Sequence, residues 1–316
     1  LKQLFGRPWF GPLLALIAVY ILFAILAPNT FALSANALTM ARQTVVVAIV
    51  AVGMTVVMIE GGIDLSVGST VALATVAIAR TLEAGHGPLT AVLAGVGLGA
   101  VTGLLNGALI SRLKLMPFIV TLGTMSALRG TAKGFADEQK VDAPSRGLET
   151  LMALPSGPRA YWLLPPGVWV VLLLALAVAG FLLYTRPGRH AVAIGSNEMT
   201  ARLCGVPVER ITLLVYVMCG ALAGLAGVME FSTLTVGDPT DSIGLELEAI
   251  AAVVIGGGSL SGGRGSIAGA LIGALLLTVI KTGCTHVGLP NWVQEILTGT
   301  IIVVAMALDR LRERKD

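Results

Sequence analysis

Gly61–Ser69 reads GGIDLSVGS. It sets an aspartate, Asp64, among glycines between two apolar runs, 43–60 and 66–84. A carboxylate is costly in so apolar a setting, so its presence points to a role. The pattern returns 195 residues later, where Gly256–Arg264 reads GGGSLSGGR. Gly61, Gly62, Leu65, Ser66 and Gly68 match Gly256, Gly257, Leu260, Ser261 and Gly263 in turn, and Gly258 extends the second glycine run. Each copy follows a short apolar run and precedes a longer one, so the two mark corresponding points in two halves of one chain.

Composition sets the class. The 316 residues are 55% hydrophobic and 12% charged, where a soluble domain carries about 25% charged residues. Apolar runs near 20 residues recur, which implies an all-α, polytopic membrane protein. Ten segments are expected, at roughly 12–28, 43–60, 66–84, 89–111, 116–134, 168–184, 211–232, 245–258, 265–283 and 292–308. They form a single transmembrane domain over 1–316, with a cytoplasmic loop at 185–210. The net charge of +3 is spread over loops and forms no basic stripe for nucleic acid. Cys204, Cys219 and Cys284 lie far apart, and His86, His190 and His286 sit in separate loops. No metal site and no catalytic constellation is expected from them. A P-loop is also lacking. Gly258 and Gly263 have its spacing, but Arg264 and Gly265 stand where Lys and Ser or Thr are required. Lys2 and Arg7 precede an apolar run too long for a cleavable signal.

Ten segments place both termini on one side. Basic residues such as Arg112, Lys114, Arg186, Arg189, Arg202 and Arg210 collect in the loops of that side, and acids such as Asp137, Asp142, Asp238 and Asp241 in the others. The positive-inside rule makes the first side cytoplasmic. Gly95, Gly99, Gly103 and Gly107 recur every four residues, as do Gly265, Gly269 and Gly273. Such stripes let helices pack closely. Asn106 beside the first stripe is either interhelical glue or a substrate contact. Segments two (Val45–Ile59) and eight (Ala249–Ile255) are short before their glycines. Seven apolar residues span only about 10 Å of helix. Short, glycine-broken helices at matching points of a repeat mark substrate sites in transporters. The alternative is a pair of ordinary cytoplasmic turns. The even offset of six segments makes the repeat parallel. Asp64 can cap the following helix through N–H groups near Leu65–Val67, line a polar route, or do both. Glu60 is expected to reach the cytoplasmic interface or to pair with an arginine.

The loop at 185–210 reads TRPGRHAVAIGSNEMTARLCGVPVER. Ser196 or Asn197 can cap a short helix that opens with Glu198 and ends at Gly205 and Pro207. Met199, Leu203 and Val206 give it an apolar face, with Glu198 and Arg202 at the flank. Two turns of helix do not hold alone in water, so the segment reads as a docking helix.

GGIDLSVGS at 61–69, FIVTLGTMSALRG at 118–130, GSNEMTARLCGV at 195–206 and LELEAIAAVVIGGGSLSGG at 245–263 resemble the sugar-type ABC importer permeases, the ribose permease family. The likeness covers nearly the whole chain, in family order. It implies a transmembrane subunit that moves a monosaccharide (a ribose-like pentose, a hexose or a deoxyhexose) from periplasm to cytoplasm by alternating access. The implied partners are an ABC ATPase, which holds the ATP and Mg and does the catalysis, a periplasmic solute-binding protein, a second permease chain and the lipid of the bacterial inner membrane. The chain itself holds no cofactor and is no enzyme. The resemblance makes Asn197, Glu198, Ala201, Arg202, Leu203 and Gly205 the coupling helix facing the ATPase. It sets Asp64, Ser66, Asn106, Phe118, Thr121 and Thr124 along the path, and gives Gly61, Gly62, Gly68, Gly256, Gly257, Gly258 and Gly263 a structural role. Met199 and Thr200 depart from the smaller residues common at the centre of that helix. Importers of branched-chain amino acids or nucleosides are the nearest alternatives. An ion-coupled secondary transporter is a more distant one, because no carboxylate falls mid-helix.

Overall fold

The computed structural model describes residues 9–155 and 163–313. All ten expected segments are helical: α1 (Phe10–Leu26), α2 (Ser34–Glu60), α3 (Val67–Glu83), α4 (Pro88–Leu113), α5 (Pro117–Phe135), α6 (Pro166–Tyr184), α9 (Val208–Leu234), α10 (Leu245–Ile255), α11 (Ile267–His286) and α12 (Asn291–Glu313). Two short helices, α7 (Arg186–Ser196) and α8 (Glu198–Leu203), occupy the loop between α6 and α9. Five helices, α2, α4, α6, α9 and α11, are long and apolar enough to cross a membrane. A two-residue strand pair, β1 (Val141–Asp142) with β2 (Val236–Gly237), runs antiparallel. The chain is thus an all-α, multi-pass membrane protein.

The core is built around α2, in which every residue from Ala48 to Glu60 is buried. The sequence reading made this segment short, and the structure corrects it to 27 residues. The extra turns start at Ser34 and carry polar residues that an apolar scan passes over. Two of them bond neighbours: the Asn36 amide donates to the Phe31 carbonyl at 2.8 Å, and Gln43 accepts from Thr282 of α11 at 3.2 Å. Segment eight is short as expected, at 11 residues.

The two glycine motifs are corresponding turns. At the end of α2 Gly61 is left-handed (φ 98°), Gly61 N–H donates to Met58 and Gly62 N–H to Val57, both at 3.0 Å. At the end of α10 Gly257 is left-handed (φ 86°), with Gly257 N–H on Val254 at 2.9 Å and Gly258 N–H on Val253 at 2.8 Å. Both are Schellman ends, a geometry that glycine adopts without a Cβ penalty. The second begins one residue later than the aligned glycines suggest. Beyond it the registers agree. Asp64 Oδ1 accepts the Ser66 N–H at 2.9 Å, and Ser259 Oγ accepts the Ser261 N–H at 3.1 Å. The two turns then meet: Gly263 N–H donates to the Ile59 carbonyl at 2.8 Å.

Glycine also sets the closest helix pairs. On α4, Gly95, Gly99 and Gly103 face Gly224, Gly220 and Tyr216 of α9, backbone against backbone. A Cβ on Gly99 would lie 2.8 Å from Gly224 Cα and overlap the Gly220 carbonyl. On α11, Gly269 and Gly273 face Gly256 and Ala252. Gly97 has nothing within 4 Å of its would-be Cβ. Gly99→Ala therefore costs about 1–3 kcal/mol by overpacking, whereas Gly97→Ala is neutral or stabilises by up to about 1 kcal/mol through helix propensity. Thermal unfolding of the two variants in detergent measures the contrast.

Candidate functional site

The loop at 61–66 does not lie at the tip of the helix bundle. Its partner Asn106 comes seven residues before the end of α4, and its partner Tyr216 eight residues into α9. At 1.5 Å per residue both lie about 10 Å inside the helix ends. Backbone that irregular at such depth must be satisfied by protein, and here it is. Asp64 Oδ1 accepts from the Ser66 hydroxyl at 2.6 Å, and the Asn106 amide donates to Ser66 Oγ at 2.8 Å. The Ile63 carbonyl lies 3.2 Å from the Thr121 hydroxyl on α5 and 3.3 Å from the Tyr216 hydroxyl on α9.

The structure therefore joins Asp64, Ser66, Asn106 and Thr121 in one buried cluster. Asp64 forms an Asx turn onto Ser66, the residue before α3, and Asn106 ties α4 to that turn. Asn106 Oδ1 and Ser69 Oγ are buried without a partner. Thr124 bonds within its own helix, to the Thr121 carbonyl at 3.2 Å. Phe118 is exposed, together with Met116, Ile119 and Leu122, along one outward face of α5.

Glu60 differs from expectation. It is buried and accepts from the Thr212 hydroxyl at 2.5 Å, where an interfacial position or an arginine partner was expected. The hydroxyl one turn into α9 supplies the satisfaction that the sequence left open.

The 185–210 segment holds more helix than the sequence indicated. Thr185 Oγ1 accepts the Gly188 N–H at 3.1 Å and, with Pro187 in the first turn, starts α7. That Thr-x-Pro signal was readable. Gly188, Ala191 and Ile194 of α7 are buried. Asn197 then caps α8, its Oδ1 accepting the Thr200 N–H at 2.8 Å. Met199 and Leu203 are exposed at 76% and 84%, so the apolar face of α8 points outward. Ala201 does not share it: it is buried against the bundle, and Val206 packs inward as well. With only six residues, the helix shows opposite sides at positions two apart. Gly205 ends the turn in a left-handed conformation, φ 79°. Arg202 bridges Glu198 at 2.9 Å and Glu209 of α9 at 2.5 Å. Those bonds, Glu209 first, raise the Arg202 guanidinium above its already high ordinary pKa, so it stays a cation. A cavity of about 580 Å³ opens between α8 and the glycine loop, lined by Glu60, Gly61, Ser111, Lys114, Arg202 and Thr212 among others.

The opposite end carries a feature the sequence reading missed. After β2 the chain turns back along α3: Asp238 N–H bonds Thr75 Oγ1 at 3.3 Å, and Ser242 and Glu246 reach Gly68. Arg129 on α5 holds this segment, donating to the carbonyls of Pro239 at 3.0 Å and Asp241 at 2.6 Å. Its signal was an arginine inside an apolar segment. Lys140 pairs with Asp238 at 2.9 Å, which raises the lysine pKa. Among the described residues no group of three His, Cys, Asp or Glu is placed to hold a metal.

A polytopic bundle with broken glycine helices, a buried polar turn and a short helix with an outward apolar face defines a transport permease. The chain belongs to the family described as branched-chain amino acid transport system / permease component, whose profile matches residues 36–306. It is 38% identical over 315 residues to the ribose import permease protein of Escherichia coli K12, covering 99% of this chain and 98% of that one. It is 39% identical over 301 residues to the ribose import permease protein of Bacillus subtilis, covering 95% and 92%. It is 34% identical over 313 residues to the L-arabinose transport system permease protein of Escherichia coli K12, covering 98% and 93%. No solved structure matches the chain significantly.

Asp64→Ala leaves the Ser66 N–H and hydroxyl without their acceptor in a buried site, a loss of about 1–3 kcal/mol. Asp64→Asn keeps an acceptor oxygen and loses less. Detergent melting curves of the two variants order them so, and equal melting temperatures would refute the local role of this carboxylate.

Proposed function

We propose that this chain is the transmembrane subunit of an ATP-driven importer that carries a monosaccharide from periplasm to cytoplasm by alternating access. The observation that carries the importer reading is α8. Two large apolar side chains, Met199 and Leu203, stand exposed on a capped helix that an arginine braces to the bundle. Such a surface needs a partner. A separate ABC ATPase, holding ATP and Mg, is that partner. The sugar class is favoured over branched-chain amino acids because relatives covering nearly the full length are named for ribose and arabinose import. With α8 on the cytoplasmic side, the protein sits in the inner membrane with both termini inside, and the β1–β2 end faces the periplasmic solute-binding protein.

In this reading a second permease chain meets the exposed face of α5, so that Phe118 borders the path between the two, while Thr121 and Thr124 face the interior of this chain. The buried turn at Asp64, Ser66 and Asn106 shapes the wall of that path. The re-entrant segment held by Arg129 narrows the outer half. Closure of the ATPase moves α8, and glycine-packed helices such as α4 with α9 rock as units.

The test is a mild-detergent pull-down of the tagged chain from native membranes, with mass spectrometry of its companions. An ABC ATPase should co-purify, and the ligand of the associated solute-binding protein should be a monosaccharide. A binding protein that takes leucine or a nucleoside would overturn the sugar class, and a lone chain that transports on an ion gradient would overturn the importer reading. Met199→Asp or Leu203→Asp lowers ATPase recovery about tenfold or more, as expected for central apolar contacts of an interface. Melting of the free chain shifts by no more than about 0.5 kcal/mol, since neither side chain is packed against it.

A further inference from the structure

Three residues on one face of α9 each bond a different part of the inner machinery. Glu209 accepts from Arg202 of α8 at 2.5 Å. Thr212 donates to Glu60 at the end of α2 at 2.5 Å. Tyr216 donates to the Ile63 carbonyl in the glycine loop at 3.3 Å. Their spacing, i, i+3 and i+7, aligns them along a single stripe of the helix. We infer that this stripe, Glu209–Thr212–Tyr216, is the relay that carries displacement of α8 to the loop bearing Asp64.

The geometry supports a mechanical link rather than three unrelated contacts. A Cβ on Gly62 would lie 2.5 Å from the Tyr216 hydroxyl, so the ring is seated directly on the loop. On its other side Tyr216 is pressed against Gly103 and Gly107 of α4. The residue is wholly buried, with its backbone and Cβ against α4 and its hydroxyl against the loop. The Ile63 carbonyl that it contacts also faces Thr121 of α5. A shift of α9 therefore acts at once on the glycine loop and, through it, on the helix proposed to border the path. The cavity between α8 and the loop is lined by Arg202, Glu209, Thr212 and Glu60, which gives this end of the stripe room to move. Thr212 and Tyr216 act through the loop and touch no substrate; they are positioning residues.

The relay rests on the importer reading, and the test separates the two. The complete importer (this chain, its ATPase and its solute-binding protein) is reconstituted in liposomes, with radiolabelled D-ribose as the transported probe. Uptake per ATP hydrolysed is measured for wild type, Thr212→Val, Tyr216→Phe and the double variant. Each single change removes one hydroxyl and keeps the volume. The expected result is full assembly with the ATPase, hydrolysis within about twofold of wild type, and sugar moved per ATP reduced about tenfold, with non-additive losses in the double variant. Unchanged uptake per ATP in both single variants overturns the relay. Loss of uptake in strict proportion to loss of assembled complex overturns it too, since that is a structural role only. If the wild-type chain recruits no ATPase, the importer reading itself fails and the relay with it.

Discussion

A helix end inside an apolar bundle leaves carbonyls that need partners, and the packing at this end of the protein follows from how those of α2 are satisfied. The Ile59 carbonyl accepts the Gly263 N–H at 2.8 Å. A Cβ on Gly195 would fall on that same carbonyl, and one on Gly262 would lie 3.0 Å from Gly61 Cα. Three chain segments thus converge on one point with no side chain between them. They are the end of α2, the end of α7 and the turn after α10. Substitution of any of these glycines would separate α7 and the α8 that follows it from the broken helices, because the contact is made of backbone alone.

From that junction the functional geometry branches. On one side α7 leads directly into α8, which carries the exposed Met199 and Leu203. On the other the loop rises about 10 Å into the bundle and is closed by Asp64, Ser66 and Asn106. The cluster is polar and paired at Asp64 Oδ1, the Ser66 hydroxyl and the Asn106 amide N–H, with the Asn106 oxygen left over. One carboxylate oxygen, Oδ1, takes both Ser66 bonds, and the α4 amide holds the pair in place. Such a site orients backbone; the wall it forms is set by where the chain turns more than by which groups are exposed.

The two halves of the repeat use the same local chemistry for different ends. Asp64 and Ser259, 195 residues apart in sequence, accept the N–H two residues on, by an Asx turn and its serine counterpart. The helices leading to them differ: α2 has 27 residues and α10 has 11. The second half reaches its turn from a re-entrant segment anchored by Arg129, and the first from a helix crossing the full core. A motif match revealed the equivalence of the turns and could not reveal the inequality of their approaches, because Ser34–Gln43 is polar enough to resemble a loop.

The sequence by itself determined the membrane class, the ten helical segments, the glycine faces and the short capped helix α8, since each is written in local periodicity, residue size and capping chemistry. Asn197, Gly205 and the outward Met199–Leu203 pair were legible for the same reason. Only the tertiary structure decided that Glu60 bonds Thr212, that Ala201 points inward, that Tyr216 sits on Ile63 and that the two glycine turns touch. Those facts depend on residues about 150 or more positions apart, or on which side of a two-turn helix meets the bundle. A one-dimensional pattern fixes which side chains share a face, and the partner of that face is chosen by packing in three dimensions.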